Sequence, residues 1–180
     1  KGAAIRASEV LEKEKYNKKP SQSQTDEIIS RFDGILHNKG DISVGQLRDK
    51  MQKTVQSRFG VYRDEETLAL GNEELARLSS DLAHIEVKDK SSVFNTDIVE
   101  ALELHNLMQI SRSVGASAIN RTESRGAHAR EDFPDRDDEN WMNHSIVWMN
   151  EDKFEVTKRP VRMTTISNKA KVIAPEVRIY

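Results

Sequence analysis

The sequence predicts a mainly α-helical protein, with a three-helix up-down-up bundle followed by a small β-hairpin and an extended carboxyl-terminal tail. Between residues 41 and 127, apolar side chains recur at spacings of three and four, the repeat of one helix face. After Gly126 this repeat stops, and two short alternating segments flank a polar turn instead. A chain of 180 residues with 36% hydrophobic side chains can form one compact domain of this kind.

The three predicted helices of the bundle occupy residues 41–127. The first carries a stripe of four apolar residues, Val44, Leu47, Met51 and Val55. The second follows Asp64, where acidic residues suit the positive end of a helix, and is expected to end near Lys88. The third begins at Asn95 and continues through Gly115. Since glycine inside a helix costs about 1 kcal/mol relative to alanine, we expect another backbone to approach Gly115 closely.

The flanking segments are predicted from composition and alternation. Residues 3–15 predict a helix with a thin apolar face, and the polar stretch 17–25, broken by Pro20, is typical of a linker. Residues 1–40 are therefore assigned to a helix end plus a linker. Residues 144–149 and 154–158 alternate around the turn NEDK and predict the hairpin. We assign 128–180 to an extended and hairpin segment that lies against another surface.

Composition narrows the classes of function. Lys and Arg number 28 against 30 Asp and Glu, a formal charge of −2, so nucleic acid and anionic membranes are poor candidate partners. The chain has no cysteine, which excludes disulfides and thiolate metal ligands within it. Its first residues lack Met and the apolar core of a secretory signal. We expect the chain to be a fragment of a longer protein.

The densest chemistry lies in residues 121–144, RTESRGAHAREDFPDRDDENWMNH, with four arginines, seven acidic residues and two histidines. A triad of Ser124, His128 and Asp132 would need a continuous helix, which Gly126 and Pro134 oppose. The scattered histidines do not predict a metal cluster. The acidic group Asp135, Asp137, Asp138 and Glu139 lacks the glycine of a calcium loop and is better interpreted as a solvated turn paired with Arg136.

The arginines of this segment favour docking. Guanidinium groups form bidentate pairs with carboxylates and are enriched, with tryptophan, at protein interfaces. The chain follows them with Trp141 and Trp148. We therefore predict a domain or subunit docking surface, with four residues as its candidates: Arg125, His128, Arg130 and Arg136.

The same segment resembles the signature R-x-E-S-R-G-x-H-x-R-x-D-x-P-x-R-D-D-x-x-W-x-x-H of succinate dehydrogenase flavoprotein subunits. The closing PEVRIY resembles the carboxyl terminus of those subunits, and the opening KGAAIRASEV resembles the helix that ends their flavin-binding domain. The resemblance covers nearly the whole chain. Fumarate reductase, L-aspartate oxidase and adenylylsulfate reductase share parts of E-S-R-G but generally not the D-D-x-x-W-x-x-H continuation.

This resemblance implies the carboxyl-terminal helical domain of such a subunit. The family's dinucleotide fold, its flavinylated histidine and its dicarboxylate-binding residues lie in other domains, and their motifs do not occur in residues 1–180. The resemblance therefore assigns no catalytic, cofactor-binding or metal residue here, and FAD is expected in the full-length subunit, bound outside this chain.

The implied parent reaction is succinate oxidation to fumarate, with electrons passing through FAD and iron–sulphur clusters to quinone. The implied partners are the subunit's own flavin-binding domain, the iron–sulphur subunit and, indirectly, membrane-anchor subunits, and the implied location is the cytoplasmic face of a bacterial inner membrane or the mitochondrial matrix face. Two alternatives stay open: the flavoprotein of fumarate reductase or L-aspartate oxidase, and a free-standing helical interaction module.

Overall fold

The computed structural model describes residues 2–13, 19–150, 153–165 and 170–176. The helices in these ranges are α1 (Gly2–Lys13), α2 (Gln22–Leu36), α3 (Val44–Arg58), α4 (Glu65–Ser80), α5 (Thr96–Asn120) and α6 (Asp138–Trp141). No helix in the described part is long and apolar enough to span a membrane.

The helices α3, α4 and α5 form the predicted up-down-up bundle. Two short parallel strand pairs mark its ends. One pair joins β1 (Ile42–Ser43), before α3, to β3 (Ile85–Glu86), before α5, and the other joins β2 (Tyr62–Arg63), after α3, to β4 (Ala129–Arg130), after α5. Because each pair ties together chain segments at the same end of the bundle, α4 must run opposite to α3 and α5.

The core lies between these three helices. Leu47 of α3, Leu68 and Leu75 of α4, and Leu104 and Met108 of α5 are all 0% exposed. Leu47 belongs to the apolar stripe that the sequence predicts for the first helix. Burying a side chain of this size stabilises the fold by about 1.5–3 kcal/mol, so these residues hold the bundle together.

The predicted linker over residues 17–25 is wrong in its second half, where α2 begins at Gln22. Ser21 caps this helix, since its Oγ accepts from the Gln24 N–H at 3.2 Å and the Gln24 side chain accepts from the Ser21 N–H at 3.0 Å. This reciprocal capping box starts a helix in a polar sequence. Of the predicted helix over 3–15, residues 14 and 15 lie outside the described ranges.

Two details of the bundle also differ from prediction. Helix α4 ends at Ser80 rather than near Lys88, because a 3₁₀ turn over Asp81–His84 leads into β3. Close contact at Gly115 comes from side chains rather than from another backbone. A Cβ placed there would lie 2.4 Å from Asn72 Oδ1 and 3.0 Å from the Phe59 ring.

The hairpin forms as predicted. Strand β5 (Asn143–Asn150) pairs antiparallel with β6 (Lys153–Pro160), although the turn residues 151 and 152 lie outside the described ranges. Both strands contact α5. Residues 161–165 and 170–176 then continue without regular secondary structure, as expected for the tail.

Candidate functional site

Residues 121–138, which we call the clasp, leave the carboxyl end of α5 as a compact loop. Arg125 and His128 pair through their backbones at N···O distances of 2.8 and 3.1 Å across a tight turn. Gly126 has a φ of +62° in that turn, a conformation that glycine adopts without a steric cost. Ser124 Oγ accepts from the Arg130 N–H at 2.8 Å and donates to the Phe133 carbonyl at 2.9 Å. The loop is therefore closed by hydrogen bonds between main-chain groups and by the Ser124 hydroxyl.

Glu123 is the centre of the clasp, with a side chain that is 0% exposed. Its carboxylate accepts hydrogen bonds from the Arg121 guanidinium, from Arg125 at 2.8 and 2.9 Å, and from the Asp137 N–H at 2.9 Å. Burial raises the pKa of Glu123, but the hydrogen bonds from Arg125, Asp137 and Arg121 outweigh burial and leave the pKa below its usual value. Glu123 is thus a buried, fully paired carboxylate.

Arg130 is the second centre of charge, and only 1% of the residue is exposed. Its guanidinium forms a bidentate pair with Asp132, both bonds at 2.7 Å, and donates to Glu65 at 2.8 Å. The hydrogen bond from Arg130 is the main cause that lowers the pKa of Asp132 to about 2. The remaining nitrogen lies 3.2–3.4 Å from three carbonyl oxygens at the end of α5, those of Ala118, Ile119 and Arg121.

This placement lets Arg130 join two helix ends. The last carbonyl groups of a helix have no partner within the helix, and a cation near them is favourable. Asp132 in turn accepts from the Glu65 N–H at 2.9 Å, at the start of α4. The Arg130–Asp132 pair therefore links the carboxyl end of α5 to the amino end of α4.

Arg121 connects the clasp to the hairpin. It donates to the Asn143 carbonyl at 2.6 Å and to the Trp141 carbonyl at 3.2 Å. Its guanidinium lies 5.0 Å from the centre of the buried Trp141 ring, and Lys158 Nζ of β6 lies 3.5 Å from the same ring. Cation–π contacts of this kind are worth about 0.5–2 kcal/mol. The first residues of β5 are consequently fixed relative to α5.

His128 contacts Arg63 of β2. Arg63 donates from one terminal nitrogen to His128 Nδ1 at 2.7 Å, so His128 Nε2, 3.1 Å from the Arg121 carbonyl, carries the ring proton. Burial lowers the pKa of His128, and the neighbouring charges of Arg63, Arg130 and Arg121 lower it further. His128 is therefore a neutral histidine among cations.

Arg63 also caps α3, since it donates to the carbonyls of Phe59 and Gly60 at 3.1 and 2.9 Å. Burial lowers the pKa of Arg63. Unlike Arg121, Arg125 and Arg130, it has no carboxylate partner in the described ranges.

The four predicted docking residues all lie in the clasp, with unequal exposure. The Arg125 and Arg136 side chains are 29% and 31% exposed and share the Asp138 carboxylate, at 2.7 and 2.9 Å. Arg136 also donates to the carbonyl of Glu176 in the tail at 3.0 Å. His128 is half-buried, and the Arg130 side chain has no exposed area. Arg125 and Arg136 are thus the two that present guanidinium groups to solvent.

The structure separates the members of the candidate triad. Ser124 Oγ bonds to the main chain at residues 130 and 133, Asp132 pairs with Arg130, and His128 bonds to Arg63 and to the carbonyl of residue 121. A nucleophile, a base and an orienting acid would have to bond to one another. The arrangement does not support serine-nucleophile chemistry.

The acidic turn is also occupied by protein contacts. Asp137 accepts from the N–H groups of Glu139 and Asn140 and so caps α6, and Asp138 pairs with the two arginines described above. Within the described ranges, no group of three or more His, Asp or Glu side chains is placed to hold a metal ion. The interpretation as a charged turn paired with Arg136 agrees with this geometry.

The space beside two further glycines is filled by the protein itself. A Cβ at Gly40 would meet the His84 carbonyl, and at Gly71 the Phe59 ring. These two glycines therefore serve internal packing.

Sequence reasoning missed the roles of Glu123 and Arg63. For Glu123 a signal exists, because residues 121, 123 and 125 alternate as R-x-E-x-R, which places one acid between two cations on the same side of an extended segment. For Arg63 no local signal exists, since 65 residues separate it from His128.

An open groove of about 860 Å³ runs between α5 and β5. Its apolar lining consists of Ile110, Val114, Ala118, Val147, Met149 and Val161. The clasp contributes Arg121, Arg125 and His128 to this groove, and β2 contributes Arg63. Three arginines and no acidic residue line it. The groove is an apolar surface with a positive end.

Comparison with known proteins places this geometry in a family. The sequence model of the family described as fumarate reductase flavoprotein C-term matches residues 48–180 of this chain. The succinate dehydrogenase flavoprotein subunit of Rickettsia bellii is 44% identical over 181 residues, which is 100% of this chain and 30% of that protein. The mitochondrial succinate dehydrogenase [ubiquinone] flavoprotein subunit of Oryza sativa is 32% identical over 100% of this chain and 29% of that protein.

A solved structure of a fumarate reductase also resembles this chain in its fold. Quinol fumarate reductase of E. coli superposes with a TM-score of 0.78 at 28% identity and covers 87% of this chain and 28% of that one. This chain therefore spans about 30% of the length of the curated relatives it matches. Since the family model matches residues 48–180, the chain belongs to the fumarate reductase flavoprotein carboxyl-terminal family.

Proposed function

We propose that the chain is the carboxyl-terminal domain of a succinate dehydrogenase flavoprotein subunit and that its role there is structural and docking, without catalytic residues of its own. The observation that carries this role is the buried Glu123, whose carboxylate is used entirely by Arg121, Arg125 and the Asp137 N–H. A catalytic carboxylate has to reach a substrate. Glu123 instead holds the chain in place.

The subunit so completed would oxidise succinate to fumarate. FAD, bound by the part of the subunit outside this chain, would accept the hydride, and electrons would pass through an iron–sulphur subunit to quinone. Membrane-anchor subunits would hold the complex at the cytoplasmic face of a bacterial inner membrane or the mitochondrial matrix face. The 44% identity to the Rickettsia bellii subunit favours this activity.

Fumarate reductase is the second candidate, favoured by the description of the family model and by the E. coli structure. The two candidates share a reaction and differ in its physiological direction. Because this chain supplies no catalytic residue of its own, the rates of succinate oxidation and fumarate reduction have to be measured on the full-length subunit that contains it, expressed with its partner subunits.

A chimaera tests the proposed role: this chain replaces the matching carboxyl-terminal part of the Rickettsia bellii subunit, which is expressed with its partner subunits. We expect it to hold flavin and to oxidise succinate, whereas the 180-residue chain alone should show neither flavin absorbance nor succinate oxidation. Succinate oxidation by the chain alone would refute a structural role, and a folded chimaera without activity would refute membership in a working subunit.

We further propose that the clasp faces the flavin-binding domain and the iron–sulphur subunit. Arg125 and Arg136 would contact these partners, and His128 and Arg130 would hold the clasp in shape. Arg125→Glu in the chimaera should reduce co-purification of the iron–sulphur subunit more than it reduces flavin content. Arg159→Glu, on an exposed position of β6, is the control with the same charge change. Loss of flavin with intact co-purification would contradict this assignment.

A further inference from the structure

We propose that the groove between α5 and β5 receives a segment of the amino-terminal part of the same subunit, and that a carboxylate on this segment pairs with Arg63. This inference rests on the proposed function, since it requires the chain to be one part of a larger subunit. It adds the docking face, the residue that recognises the charge, and the chemistry of the segment.

The charge of the groove lining is the first observation that supports this proposal. The lining residues include three arginines and no carboxylate, although the whole chain has a formal charge of −2. Arg121 and Arg125 already bond to the buried Glu123. Arg63 therefore brings a positive charge to the groove that no carboxylate of the described ranges balances.

The hydrogen bonds of Arg63 are the second observation, because they leave some of its N–H donors available. A guanidinium group has five N–H donors, and Arg63 uses three of them, on the carbonyls of Phe59 and Gly60 and on His128 Nδ1. One donor stays available on each terminal nitrogen. A carboxylate can accept from both nitrogens, which is the strong bidentate form of this pair. Because Arg63 is partly withdrawn from water, such a pair is screened less than one at an open surface.

The shape of the groove selects a protein segment over a small anion. The groove is open, and beyond its positive end it is lined by aliphatic side chains. Val114 in its floor is 48% exposed, and Ile110 and Met149 are 60% and 47% exposed. A small dicarboxylate would leave these side chains in water, whereas a peptide segment with an apolar residue beside its carboxylate would cover them.

The extent of the chain identifies the source of the segment. The Rickettsia bellii subunit is matched over only 30% of its length. The remainder of such a subunit is joined covalently to this chain, so its effective concentration at the groove is far above that of a separate protein. An open apolar groove with a positive end is therefore best matched by a segment from that remainder.

Cysteine labelling tests the docking face, because the chain has no native cysteine. Val114→Cys places a thiol in the groove, and Val99→Cys places one on the same helix outside the groove at a similar exposure of 52%. In the isolated chain both thiols should react with a maleimide at similar rates. In the chimaera we expect the rate at position 114 to fall at least tenfold and the rate at position 99 to change less than twofold, measured by peptide mass spectrometry.

Arg63→Gln tests the charge. Combined with Val114→Cys in the chimaera, it should raise the labelling rate at position 114 about tenfold, the effect of losing about 1.4 kcal/mol of docking energy. The thermal midpoint of the isolated Arg63→Gln chain shows whether the bundle survives. If the bundle unfolds, Arg63→Lys, which keeps the charge and loses the fork, is measured in its place and should give a smaller rise.

Three results would overturn the proposal. Equal labelling of position 114 in the isolated chain and in an active chimaera would show that the groove stays open, and would leave the proposed function standing. Protection of the isolated chain by succinate would identify a small-anion site. Protection that grows with the concentration of the isolated chain would identify a second copy as the occupant. An inactive chimaera with a protected groove would instead refute the proposed function alone.

Discussion

Replacing Glu123 by Gln should destabilise the chain far more than the same change at Glu65. Glu123 is 0% exposed and accepts four hydrogen bonds, three of them from the guanidinium groups of Arg121 and Arg125. The substitution removes the negative charge and turns an N–H group toward those donors. Breaking a buried ion pair by removing one partner costs about 3–5 kcal/mol.

The lower end of that range applies here. Arg125 is 29% exposed and keeps Asp138 as a partner, so water and Asp138 offset part of the loss. We therefore expect about 3 kcal/mol, which for a domain of this size lowers the thermal midpoint by about 6–12 °C. Glu65→Gln should cost less than about 1 kcal/mol, because that side chain is 63% exposed and Arg130 keeps its bidentate pair with Asp132.

Urea unfolding of the 180-residue chain, followed by circular dichroism, measures both values. Equal denaturant slopes for the two variants and the unmodified chain show that the comparison is between the same two states. Equal midpoints for Glu123→Gln and Glu65→Gln would refute the argument, because burial would then add nothing to the value of the carboxylate.

Three further predictions concern stability. Gly115→Ala should destabilise the chain by about 1–3 kcal/mol because its Cβ would overlap Asn72, whereas Gly34→Ala, with nothing within 4 Å, should stabilise by about 0.5–1 kcal/mol in the same urea assay. Since the pKa of His128 is lowered by folding, the unfolded chain binds the proton first, so stability should fall below about pH 6.5. The free energy of unfolding of the His128→Asn variant should fall less between pH 7 and pH 5 than that of the unmodified chain, measured in the same urea assay. Arg130→Met should lower the free energy of unfolding by about 3 kcal/mol. Arg130→Lys should recover less than half of that loss, because lysine cannot form the bidentate pair with Asp132, and the thermal midpoints of the two variants measure the difference.

The bundle could be predicted from the sequence because its core follows the helix repeat without interruption. Val44, Leu47 and Met51 are buried as their spacing requires, and Asn95 caps α5 where the third helix is predicted to begin. Each of these signals is local. A helix face is specified by residues one turn apart, so a single sequence suffices.

Helix ends were harder to predict, because they depend on capping and on contacts distant in the chain. Helix α2 begins in a polar segment through the exchange of hydrogen bonds between Ser21 and Gln24. Helix α4 stops at Ser80 because Ile85 and Glu86 pair with β1, which lies more than 40 residues earlier. Leu82 and Ile85, which follow this helix end, are nevertheless both buried, at 9% and 1% exposed.

For the candidate site, the sequence located the clasp and not its internal pairing. The density of arginine and acid in residues 121–144 marked the segment, and the resemblance named its family. The partners of each arginine depend on elements brought together by the bundle: Glu65 belongs to α4 and Arg63 to β2. No spacing within residues 121–144 encodes these contacts.

The pairing pattern also decides which cations can act on a partner. Arg130 is enclosed, and Arg121 is bonded to the buried Glu123, so these two charges stabilise the chain itself, whereas Arg125 also pairs with Glu123 but stays 29% exposed. Arg63 is held by carbonyls and by a neutral His128, and these contacts orient its guanidinium without neutralising it. Were His128 protonated, Nδ1 would become a donor facing a donor and the contact would be lost. Burial and the neighbouring cations, which lower the pKa of His128, therefore also keep Arg63 in position for an external carboxylate.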